Sequence, residues 1–137
     1  GEPGTMQDEP RYDDVVAEVE AFLLARALTA MAAGVEREKI WLDPGIGFGK
    51  TLEHNLALLA ALPRLNALGY RVLLGASRKR FIAAIDPRAQ DARDRLGGSL
   101  AVHLHGAACG VEAVRVHDVR EMSQALAVWK AIGAAGR

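Results

Sequence analysis

The sequence predicts an α/β protein built from parallel strands, and three observations lead there. Segments with apolar residues at helical spacing alternate with short apolar runs, and Gly and Pro punctuate the runs. The order is a helix, then strand and helix three times over, which requires right-handed crossovers between parallel strands. The 137 residues are 50% hydrophobic, with 17 Lys plus Arg against 17 Asp plus Glu. That composition fits one globular domain over 1–137 and excludes disorder.

Each element has its own signal. Asp14 to Ala33 carries Val15, Val19, Phe22, Leu23 and Met31 at helical spacing, with Asp13 as N-cap and Gly34 as stop. Lys39 to Asp43 is a first strand around Ile40, Trp41 and Leu42. Leucines 52, 56, 59, 62, 65 and 68 mark one face of the next helix, which Pro63 breaks and Gly69 ends. Tyr70 to Gly75 is a second strand. Lys79 to Ile85 is a short helix, and Leu96 to Cys109 a small-residue helix whose Gly97 and Gly98 imply close packing. Ala113 to His117 is a third strand. Asp118 and Glu121 form an N-cap and N3 pair for a last helix with Val119, Met122, Leu126, Trp129 and Ile132 inward. Parallel sheets are normally covered on both faces, so three strands alone leave something uncovered.

Whole classes of function drop out on composition. Zero formal net charge and a pI near 7.1 argue against a nucleic-acid surface. No apolar run reaches the roughly 18 to 20 residues of a membrane span, and no basic-then-apolar leader opens the chain, so a cytoplasmic protein is expected. The lone Cys109 has no internal disulfide partner, and a packed thiol in a reducing compartment is expected.

In parallel sheets ligands gather at the carboxyl ends of the strands. Strand one runs into Asp43-Pro44-Gly45-Ile46-Gly47-Phe48-Gly49-Lys50-Thr51, which ends like a phosphate-binding P-loop. The spacing is one residue short, because Pro44 stands where the first Gly of that motif belongs. The dinucleotide pattern fails as well, with Lys50 at its third glycine position. What remains is a loop whose backbone can approach a ligand, with Asp43 able to accept paired N–H bonds from a flat heterocycle and Phe48 able to stack. An Asp-Pro turn and a core-capping Phe explain the same residues equally well. Ser77-Arg78-Lys79-Arg80 follows strand two and is either an anion site or a solvated cluster. Arg115 and His117 share one face of strand three while Val114 and Val116 share the other. Either a salt bridge to a neighbouring strand or anion capture explains that pair. His103 and His105 lack partners at metal-ligand spacing and read as structural, and no metal site is expected.

Taken together, the segments 42–50, 74–79 and 115–118, with the opening Gly1-Glu2-Pro3-Gly4-Thr5-Met6-Gln7, resemble the C-terminal half of dihydropteroate synthase. The resemblance runs to about residue 132. It implies part of a (βα)8 barrel, with three strands present and five missing, and the open sheet edges this leaves are expected to be covered by oligomerisation into a homodimer. It implies folate biosynthesis, in which a pterin pyrophosphate condenses with p-aminobenzoate, and sulfonamides compete. By matching motif, Asp43 and Lys79 would bind the pterin, Arg115 would lie against it and help hold the anion, and His117 would contact pyrophosphate. Phe48 would line the p-aminobenzoate side, with Gly47, Gly75, Ser77 and Arg80 completing the substrate contacts. Lys79 and Arg115 would carry the catalytic charge.

The family's Mg2+ ligand, an asparagine near the first strand, has no counterpart here, nor do its two mobile loops or the Asp and Asn that complete the pterin site. Arg80 stands where the family commonly has serine, and Gly1 at the start fits an excised fragment. The chain alone is therefore expected to be inactive. A non-catalytic, oligomerising pterin or anion module is the alternative, with a pterin-binding methyltransferase and a P-loop NTPase behind it.

Overall fold

The computed structural model describes residues 14–137, so the expected roles of Asp13 and of the opening segment 1–7 lie outside it. Helix α1 (Val15–Ala32) starts at Asp14, whose carboxylate accepts the Ala17 amide at 3.1 Å. Its buried stripe steps in fours through Val15, Val19, Leu23 and Ala27. Phe22 lies to one side of that stripe and is 64% exposed, against expectation.

Strands β1 (Trp41–Leu42), β2 (Arg71–Leu74) and β3 (Ala113–Val114) form a parallel sheet in that order, with Leu42 opposite Val72 and Leu74 opposite Val114. They are shorter than predicted for local reasons. A 3-10 turn at Arg37–Lys39 takes the start of the first. Pro44, with no N–H to give a ladder, follows soon after its end. Beyond β3 the pairing continues only as the Arg115 amide bond to the Leu74 carbonyl, at 2.9 Å. Burial alternates along the strands: Leu42, Val72 and Leu74 are sealed against helices, while Trp41 and Arg71 are exposed with the Arg71 guanidinium 5.5 Å from the Trp41 ring. One face of the sheet is therefore uncovered among the described residues.

Between β1 and β2 the predicted single helix is two, α2 (Leu52–Ala60) and α3 (Leu62–Asn66), capped by reciprocal bonds between Thr51 and His54. Pro63 supplies no N–H to the Leu59 carbonyl four residues back. That carbonyl instead accepts the His105 Nε2–H at 2.7 Å, which is the structural role expected of His105. Leu58, Leu59, Leu62 and Leu65 are buried, whereas Leu56, expected on the inner face, is 42% exposed.

Helices α4 (Phe81–Ile85) and α5 (Leu96–Ala108) follow β2, and α6 (Val119–Ala135) follows β3. Gly98 packs as expected, since a Cβ there would lie 2.5 Å from Ile82 Cγ2. Gly97 does not: it borders an apolar groove of about 580 Å3 between α2, α4 and α5. On α6 only Met122 is buried and Leu126 half-buried, while Val119, Trp129 and Ile132 face out. The stripe is real, but among the described residues only Met122 and Leu126 of it have a surface to meet. Asp118 precedes α6 without a side-chain cap bond, because its carboxylate is committed elsewhere.

His103 is wholly buried. Its Nδ1–H donates to Ser99 O at 2.6 Å and its Nε2 accepts the Ala76 amide at 3.2 Å, which makes it neutral in a single tautomer. Burial pushes its pKa below the ordinary value of 6.5, against a smaller opposing effect of the Ser99 bond. The unfolded chain therefore binds the proton more tightly, so stability is full above about pH 6.5 and falls as pH drops below it. Thermal unfolding between pH 7.5 and 5 should show a steeper loss in the native chain than in His103→Gln. Parallel profiles would count against the buried neutral imidazole.

Candidate functional site

Parallel pairing puts the ends of all three strands on one edge, so the loops after them converge. In the first loop the Asp43 carboxylate accepts the Gly45 amide at 2.9 Å, closing a turn through Pro44. Ile46 is fully buried and anchors the loop in the core. Gly47, at φ +87°, donates its amide to Oδ1 of the buried Asn55 at 2.8 Å. Phe48 is 54% exposed. Lys50 turns back on its own loop, its ammonium donating to the Gly45 and Phe48 carbonyls at 2.8 Å each. In a P-loop that lysine reaches for phosphate, so geometry agrees with the failed spacing.

The second loop bridges the other two. Lys79 lays its ammonium 3.9 Å from the Phe48 ring centroid and donates to the Ile46 carbonyl. Ser77, two residues earlier and buried, accepts the His117 amide at 3.1 Å and bonds the His117 Nδ1 at 2.8 Å. Gly75 leaves room beside Arg115, whose Cβ would stand 3.7 Å from any added Cβ. The four-residue cluster is thus neither wholly solvated nor wholly free for an anion. Arg78 forms a bidentate pair with Asp118, at 2.8 and 3.2 Å, and that pair holds the Asp118 carboxyl below its usual range.

Positive charge remains on this edge. Burial lowers the Lys79 pKa from the usual lysine value, with Arg115 adding to the shift and Asp43 opposing it. Lys50 is lowered by burial and then by Lys79, again against Asp43. Arg80 is exposed and borders an open cleft of about 610 Å3, shared with Gly47, Phe48, Lys79 and Phe81. Such a surface suits an anion and a flat ring. Among the described residues no three of His, Cys, Asp and Glu stand close enough to hold a metal ion, and Asp118 is taken by Arg78.

Residues 1–117 match the family of pterin binding enzymes. The chain belongs to that family. The dihydropteroate synthase of Neisseria meningitidis serogroup B is 47% identical over 136 residues, covering 97% of this chain and 47% of the relative. That of Thermus thermophilus, solved with 4-aminobenzoate, shares 52% identity at a TM-score of 0.89 over 95% of this chain and 52% of its own. The Yersinia pestis enzyme, solved with a sulfonamide drug, gives 36% identity and a TM-score of 0.92 over 98% of this chain and 48% of its own. The chain thus spans about half the length of the relatives it matches. Its parallel βα units are part of the same barrel.

In this chain the loops bring Gly47, Phe48 and Lys79 into one cluster and Ser77 and His117 into another, with Asp43 and Arg115 acting electrostatically on Lys79. Residues missing from the sequence reading are those behind the loops. Asn55 and Ser99 were readable in principle, because each lies on the inward face of its helix, three residues before a buried one. Arg95 carried no such signal, coming at the end of a polar stretch that reads as surface.

Proposed function

We propose that this chain is the dihydropteroate synthase-like part of a folate-biosynthesis enzyme that condenses 6-hydroxymethyl-7,8-dihydropterin pyrophosphate with p-aminobenzoate. The observation that carries the reading is Lys79, which joins the first loop through Ile46 and Phe48 while Ser77 joins the third through His117. The amine of p-aminobenzoate would displace pyrophosphate at the pterin's exocyclic carbon, forming C–N and breaking C–O. Asp43 would take the donor edge of the pterin with Lys79, and Arg115 would lie against the ring. Lys79, Arg115 and His117 would stabilise the charge that gathers on the departing pyrophosphate. Phe48 and Arg80 would border the p-aminobenzoate or sulfonamide, with Gly47, Gly75 and Ser77 allowing close approach.

The single partial domain, 1–137, would bind without turning over, since catalysis needs both substrates positioned at once. Calorimetry with the pterin pyrophosphate should show binding that Asp43→Ala and Arg115→Ala each weaken by tenfold or more. Equal affinity in all three chains would sink the assignment, and turnover by the pure chain would sink its limits.

A second reading, a homodimerising binding module in the cytoplasm, is favoured by the uncovered sheet face and by the exposed Val119, Trp129 and Ile132 of α6. Sedimentation at micromolar concentration should give twice the chain mass. A strict monomer with a sharp thermal transition speaks against it.

A further inference from the structure

We infer that Arg95 is a positioning residue, which aims the substrate loops by holding Arg78 in a left-handed backbone conformation; this rests on the reading of that edge as the substrate site. Arg78 has φ 58°, a positive value shared among the described residues only with glycines. A side-chain-bearing residue there is strained and persists only where its surroundings impose it. The surroundings are on hand. Its amide donates to Ser99 Oγ at 2.8 Å, its carbonyl accepts Arg95 Nη1 at 2.8 Å, and its guanidinium is paired with Asp118.

Arg95 is itself 7% exposed. Its Nε and Nη2 donate to the Ala89 carbonyl at 2.8 Å and the Gln90 carbonyl at 2.7 Å, so one buried guanidinium ties the 86–95 excursion to the site loop. Burying a charge against carbonyls is expensive unless it is well hydrogen-bonded, and here each of the three guanidinium nitrogens donates to a carbonyl.

The consequence falls on the neighbours. The reversal at Arg78 is what lets Ser77 reach the third loop at His117 while Lys79 reaches the first at Ile46 and Phe48. Were residue 78 to relax to negative φ, the two side chains could not keep both partners. Arg78 is thus a strut, and its charge is spent on Asp118 rather than on ligand.

The test needs no ligand. Nitrogen-15 NMR of the His117 ring reports its bond to Ser77 as a fixed tautomer. Arg95→Lys, which cannot fork to three carbonyls, should shift that ring toward the mixture of a solvated histidine. Arg78→Gly placed on top should restore the fixed tautomer, because glycine takes positive φ without help. A fixed tautomer in folded Arg95→Lys overturns the inference. So does a shift that Arg78→Gly fails to reverse, which would make Arg95 an anchor of 86–95 alone. Should Arg95→Lys not fold, Arg95→Gln, whose single amide nitrogen cannot serve all three carbonyls, decides in the same way. Inorganic pyrophosphate binding measured alongside keeps the two readings separate: its absence in the native chain fails the substrate site, while the tautomers still judge the strut.

Discussion

Leu74→Ala is expected to destabilise the chain by about 2–5 kcal/mol, the largest effect of any single core truncation on the sheet. Leu74 is fully buried on the middle strand, and β2 is the strand with neighbours on both sides. Its partner across the core is a glycine. A Cβ on Gly106 would lie 2.5 Å from Leu74 Cδ2, so α5 approaches β2 only because position 106 has no side chain. Gly106→Ala alone gains about 1 kcal/mol of helix propensity but overpacks a sealed core, at about 1–3 kcal/mol, and the net should be destabilising. In the double variant the new methyl occupies part of the space Leu74 vacates. The loss should therefore fall short of the sum by about 0.5–3 kcal/mol. Urea unfolding of the four chains measures it. Additivity within about 0.5 kcal/mol would mean that α5 does not pack on Leu74 as described.

The same pair shows what was legible in the sequence. Val72 and Leu74 alternate with outward residues, and periodicity alone predicts which side meets the helices. The parallel direction of the strands follows from the alternation of strand and helix, and with it the gathering of loops 43–51, 75–80 and 115–118 at one edge; the order β1-β2-β3 is what the structure adds. Periodicity misled where an apolar stripe had too little to pack on. Val119, Trp129 and Ile132 sit at correct helical spacing, yet spacing reports which residues share a face and not whether a surface lies opposite. Asp118 misled differently. Its position before a helix reads as a cap, but the bidentate Arg78 guanidinium forty residues away competes for the same oxygens and wins. Contacts of that range have no local signature.

Gly47→Ala should produce the largest change at the site, and Gly34→Ala separates its causes. Both glycines sit at positive φ, +87° and +101°, so both alanines carry about 1–2 kcal/mol of backbone strain. At Gly34 nothing lies within 4 Å of the new methyl, and strain is the whole effect. At Gly47 the methyl would stand 2.9 Å from Lys79 Cδ, and the Lys79 stem, being flexible, gives way before the backbone does. Once displaced, the ammonium leaves the Ile46 carbonyl and the Phe48 ring and regains water. The burial that depresses its pKa is then relieved. Titration of the Lys79 Nζ by NMR should accordingly show its pKa rising toward 10.5 in Gly47→Ala and staying put in Gly34→Ala, although both variants unfold more readily. A depressed Lys79 in both would show that the glycine serves the turn alone, and that the close approach of the two loops has no part in setting the charge of the site.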